Sequence, residues 1–127
     1  MEKCACKGSF LERFTQPAVL VLLSREPLHG FSICKKLAEC DFFDFNGIDP
    51  TGLYRMLKKM EESGLLASEW NTEDVAYAKR VYQITEKGKR CLENWGETLR
   101  RYRDSISKLI GAVNESTGGW PFCQEKN

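Results

Sequence analysis

The residues best equipped for chemistry fall between Asp49 and Lys59, where Thr51, Gly52, Tyr54, Arg55, Lys58 and Lys59 bring together small, hydroxylic and basic side chains. An arginine can make a bidentate contact to guanine, and a threonine can bond a base edge or touch a thymine methyl. Glycine lets backbone come close, and lysines hold phosphates. This is recognition chemistry for duplex DNA, not bond-making chemistry. The other reactive set is the six cysteines. Cys34, Cys40 and Cys91 lie in or beside apolar segments and read as small core residues. Cys4, Cys6 and Cys123 lie in irregular ends that packing does not explain, so they are the candidates for holding a soft metal or sensing an oxidant. Their C-x-C plus one distant cysteine lacks the paired C-x-x-C spacing of a zinc site. His29, the single histidine, would have to activate a thiol in any enzyme. No carboxylate pair, glycine-rich phosphate loop or nucleophile elbow accompanies it, so neither an enzyme nor a cofactor is expected.

The basic residues need a helix to present them. Asp49 followed by Pro50 is an N-cap side chain ahead of a residue suited to the first helical position. Leu53, Met56, Leu57 and Met60 then recur at helical spacing as one buried face. Thr51, Arg55, Lys58, Lys59 and Glu62 occupy the other face. Gly64 stands where a C′ glycine ends a helix, and a strand follows through Trp70. The alternative for the outer face is a solvated surface whose cations pair with Glu61 or Glu62.

Before this helix, Pro17–Ser24 is apolar nearly all round, which suits a helix at the centre of a small domain, with Thr15 as its candidate N-cap. Leu28–Phe31 reads as a turn into a second helix, Phe31–Cys40, with Ile33, Cys34 and Leu37 inward and Lys35 and Lys36 outward. Gly30, at that helix start, is a candidate phosphate contact. The connector 41–47 carries three phenylalanines expected to plug gaps between helices. After the third helix, Leu66–Trp70 and Arg80–Ile84 are two short strands around a polar tip, a β-hairpin with a long loop. Lys79 and Arg80 at its base are placed for the DNA backbone or the minor groove. Thr85 is the N-cap of a last, long helix. There Leu92, Trp95, Leu99, Tyr102, Ile106, Leu109 and Val113 are spaced alternately three and four residues apart, a heptad seam that asks for a partner helix, most simply from a second copy.

Three helices, a hairpin and a long helix predict a mainly α fold with a small β-hairpin: a winged helix-turn-helix with a C-terminal dimerisation helix. The expected division is an arm over 1–9, the winged helix over 10–85, the dimer helix over 86–114 and a tail over 115–127. With 127 residues and a net charge of +1, any DNA surface must be a local patch. The longest apolar run, Ala18–Leu23, is far short of a membrane span, and the first ten residues lack a signal-peptide core. A cytoplasmic protein that contacts no membrane is expected.

At family level the sequence resembles the PadR-like transcriptional regulators, from about Phe14 to Leu109. The resemblance rests on Leu28-His29-Gly30-Phe31-Ser32-Ile33, Gly52-Leu53-Tyr54-Arg55-Met56-Leu57, Met60–Leu66 and Lys79–Gly88, in this order and spacing. It implies a repressor released by a small ligand, with phenolic acids or planar drugs known for some members. Trp95, with Phe10 and Phe14 on an N-terminal segment, would be the aromatic residues meeting such an effector. A homodimer on an inverted-repeat operator follows. Two alternatives remain open: a metal- or redox-responsive regulator using the terminal cysteines, and a winged helix used only for protein contacts.

Overall fold

The computed structural model describes residues 14–40, 49–71 and 79–118. Expectations for the arm (Cys4, Cys6 and Phe10 among them), the phenylalanine connector, the wing tip and Cys123 lie outside these residues.

Helix α1 spans Thr15–Arg25, and its Val19 and Leu20 are fully buried. Thr15 is not its N-cap: it is the first helical residue, is itself buried, and Phe14 holds the cap position without a side-chain hydrogen bond. The reason lies in Pro17, which fits anywhere in a first turn because the N–H groups there have no intrahelical partner, so it does not force Thr15 outside. Leu28–His29, expected as a turn, forms a two-residue strand, β1. Two residues are too few to show alternation, and the partner strand lies far along the chain. Helix α2, Gly30–Glu39, buries Ile33 and Leu37 completely, while Cys34 is only half-buried at the edge of that face.

Helix α3 spans Pro50–Glu62, and both of its ends are built as the sequence predicts. The Asp49 carboxylate accepts from the N–H groups of Thr51 (3.3 Å) and Gly52 (3.2 Å). At the other end the Gly64 N–H donates to the Glu61 carbonyl (3.0 Å) and the Leu65 N–H to that of Met60 (2.9 Å). This is a Schellman closure, with Gly64 at φ +84° in the left-handed region that favours glycine. Leu53, Leu57 and Met60 are buried; Met56 sits at the margin of the apolar stripe and is half-buried.

Strands β2 (Leu66–Asn71) and β3 (Lys79–Ile84) pair antiparallel, and β1 adds to the other side of β3, giving the order β1-β3-β2. Leu28 and Ser68 both lie opposite Tyr82, so the buried side of the sheet is tied to α3 through the Ser68 hydroxyl, which donates to the Glu61 carboxylate at 2.8 Å.

The last helix, α4, spans Glu86–Ser116. Thr85 caps it: the hydroxyl accepts from the Gly88 N–H (3.0 Å) and donates to the Gly64 carbonyl (2.6 Å), while the Lys87 ammonium donates to the Ser63 carbonyl (2.8 Å). One hydroxyl thus joins the end of α3 to the start of α4. Gly88 is buried in this joint, where a Cβ would overlap the Leu65 carbonyl oxygen and the Ile84 side chain. The chain divides into two compact units, Met1–Leu92 and Glu93–Asn127, and α4 begins in the first and runs on through the second.

Gly88→Ala should therefore destabilise the first unit by about 1–3 kcal/mol, because backbone blocks the added methyl. Chemical denaturation checks this through a lowered midpoint at unchanged slope.

Candidate nucleic-acid interface

The geometry of α3 follows from its two faces. With Leu53, Leu57 and Met60 inward, Thr51, Tyr54, Arg55, Lys58 and Lys59 are all exposed, and Gly52 is half-buried beside the capping Asp49. The first turn thus presents a hydroxyl and backbone at its tip, an arginine one turn behind and two lysines further on. Among the described residues the ion pairs are Glu86–Lys89, Glu97–Arg100, Glu97–Arg101 and Asp104–Arg103, all on α4. Arg55, Lys58 and Lys59 take part in none of them, and Glu61 is engaged by Ser68 instead. Among the described residues the cations of α3 have no carboxylate partner and face solvent.

Around the start of α3 the structure adds what the sequence reading left out. Tyr54 leans over Gly30, where a Cβ would overlap its ring. Gly30 is consequently buried beneath a tyrosine at the place expected for an approaching phosphate. Phe31, Tyr54 and Trp70, exposed by 72%, 43% and 56%, stand around a cleft of about 550 Å³ that Lys79, Arg80 and Tyr82 complete. His29 reaches the same cleft from β1, and its Nδ1 is buried with no hydrogen-bond partner among the described residues. Burial pushes the Tyr82 hydroxyl above the ordinary tyrosine value, with the neighbouring Arg80 opposing it. Thus Lys79 and Arg80 do meet α3 at one surface. Trp70 and Tyr82 were missed because the hairpin register that brings them there is set by neither a short turn nor strict alternation, and Phe31 because it stands on α2, apart from the hairpin in the sequence.

The seam residues lie on α4 in their expected order. Leu92 and Trp95 are half-buried, and Leu99, Tyr102, Ile106, Leu109 and Val113 are exposed, with Ile110 beside them. Phe14 is half-buried at the cap of α1. Among the described residues no three His, Cys, Asp or Glu side chains converge as a metal site, and no helix is long and apolar enough to cross a membrane.

A helix with an outward basic face, followed by a two-stranded wing whose base meets that face, defines a winged helix-turn-helix protein. The family model of the PadR-like transcriptional regulators matches residues 19–94, and the chain belongs to that family. Among solved structures it is similar to a PadR family transcriptional regulator from Eggerthella lenta DSM 2243, at 28% identity and a TM-score of 0.65, over 83% of this chain and 91% of that one. The fold is shared with a PadR-like regulator from Bacillus cereus (19% identity, TM-score 0.69, 81% and 97% covered). It is shared also with a PadR family regulator from Clostridium difficile R20291 (21%, 0.66, 76% and 98%). No curated protein matches the sequence.

Because the Asp49 carboxylate satisfies the first N–H groups of α3, Asp49→Ala should lower stability by about 1 kcal/mol. Asp49→Asn, which keeps the acceptor, should recover most of it. Thermal unfolding of the two variants side by side measures the difference.

Proposed function

We propose that this protein is a homodimeric, sequence-specific DNA-binding repressor that acts in the cytoplasm and is released from its operator by a small aromatic ligand. The observation that carries the DNA reading is the outward face of α3. Its basic residues are exposed, have no carboxylate partner among the described residues and are held on a helix capped at both ends. In this reading the first turns of α3 enter the major groove. Thr51, Gly52, Tyr54 and Arg55 meet base edges there, and Lys58 and Lys59 hold phosphates. Lys79 and Arg80 follow the backbone alongside, while Gly30, beneath the Tyr54 ring, lets that ring pack against the start of α2.

Dimerisation rests on α4. Ile106, Leu109 and Val113 are exposed by 53%, 63% and 51% in the single chain, at heptad spacing on a helix whose other sides are polar. Apolar side chains in such a row stay in water only at a cost of about 25 cal/mol for each Å² left uncovered. A second copy of the same row covers them by a two-fold contact. Two heads held in this way favour an operator with inverted half-sites about one helical turn apart. The proposed aromatic effector meets Trp95, which is half-buried on the same helix and offers a flat ring for a planar molecule. A metal or redox trigger at Cys4, Cys6 and Cys123 is the second reading of the effector, and metal analysis of protein purified without chelators separates the two.

Arg55→Ala should weaken binding by about 1–3 kcal/mol at each half-site of the selected operator, roughly five- to 150-fold apiece, and narrow the margin over random DNA while leaving a dimer. A mobility-shift assay in which the variant keeps the wild-type margin would reject the assignment. Leu109→Asp should shift the protein toward monomer in sedimentation, since a buried charge at the seam has no partner. An unchanged dimer would place the interface elsewhere.

A further inference from the structure

The register of the wing sets Trp70 directly opposite Arg80. The guanidinium carbon of Arg80 lies 4.9 Å from the centroid of the Trp70 ring, within the range where a cation is drawn to an aromatic face. Tyr82, two residues along the same strand, lies beside Arg80 on the same face of the sheet. An exposed arginine ordinarily samples many rotamers; this one is held over one ring with a second aromatic side chain alongside. Among the described residues it forms no ion pair with a carboxylate, so its charge is held in place and not neutralised. The place is the cleft that Tyr54 of α3 closes from the other side. Trp70 itself is largely exposed, so burial in the core does not account for a residue of this size.

We propose that Trp70 is a positioning residue: it holds the Arg80 guanidinium at the mouth of the cleft beside α3, preset to receive a DNA backbone phosphate flanking the groove that α3 enters. The inference rests on the DNA-binding function proposed above. Stacking engages the flat face of a guanidinium and leaves its in-plane N–H groups free, and these are the donors that a phosphate oxygen takes, often in pairs. A side chain already held in its bound rotamer loses less freedom on binding. The pair thus improves a contact that Trp70 need not touch.

The test is a double-mutant cycle on the full chain, with affinity for a mixed-sequence DNA duplex measured across a range of salt. Arg80→Ala should weaken binding and reduce the salt slope by about two per dimer, as expected when each head loses one phosphate contact. Trp70→Leu should weaken binding about two- to fivefold at low salt, and Trp70→Phe, which keeps a ring, should stay near wild type. The deciding result is that Trp70→Leu has no further effect once Arg80 is alanine. If Trp70→Leu weakens binding by the same factor with or without Arg80, the tryptophan acts through the stability of the wing or by touching DNA, and the proposal is overturned. No effect of Trp70→Leu in the wild-type background overturns it as well. Failure of the wild-type chain to bind duplex DNA even at low salt would remove the DNA-binding function itself, a result distinct from either.

Discussion

Leu53, Leu57 and Met60 are at most 2% exposed, and their burial decides what α3 can do. A helix rotated by even one residue would bring Lys58 or Lys59 into the apolar layer beneath it, where an unpaired charge is strongly disfavoured. Truncating a leucine buried to this degree costs about 2–5 kcal/mol, so the rotation of α3 is fixed with a large margin. Its position along the axis is fixed as well, by the Asp49 cap in front and the glycine closure behind. The outward face inherits that rigidity. Side chains that must meet base edges do so only from elements held within fractions of an ångström.

The same joint that ends α3 begins α4. Thr85 bonds to the Gly64 carbonyl just past α3 and to the first turn of α4, Lys87 reaches back to the Ser63 carbonyl at the C-cap of α3, and Gly88 lets the new helix start against the backbone of Leu65. In the proposed mechanism this matters beyond stability. A ligand that changes how two α4 helices sit together can act on α3 through very few covalent and hydrogen-bonded steps. A release mechanism needs such a connection, with differential contacts in the bound and free states.

Much of this was legible in the residues. The caps of α3 and α4 are signalled by side chains acting on their immediate neighbours, so Asp49, Gly64 and Thr85 do in the structure what their positions suggest. The inward stripe of α3 is equally local, since helical period alone selects it. What failed was non-local or too short to carry a pattern. Strand β1 has two residues and pairs with a strand far along the chain. Thr15 resembled a cap only because Pro17 looked like a first residue, whereas Pro17 stands deeper in the first turn. The aromatic cleft was invisible because no short turn sets the hairpin register, and only that register brings Trp70 to Arg80 and both to Tyr54. Gly30, Tyr54, Arg80 and Tyr82 all fall within the family blocks, yet resemblance in sequence does not say that a tyrosine ring covers the glycine.

In the proposed complex two α3 helices read one duplex from the same side. Hydroxyl-radical footprinting of the dimer on DNA selected from random sequence tests it most directly. Two protected clusters are expected on each strand, related by a two-fold axis and centred about one helical turn apart, roughly 10 base pairs. A single protected cluster without two-fold symmetry, from a protein that nonetheless binds tightly, would contradict it.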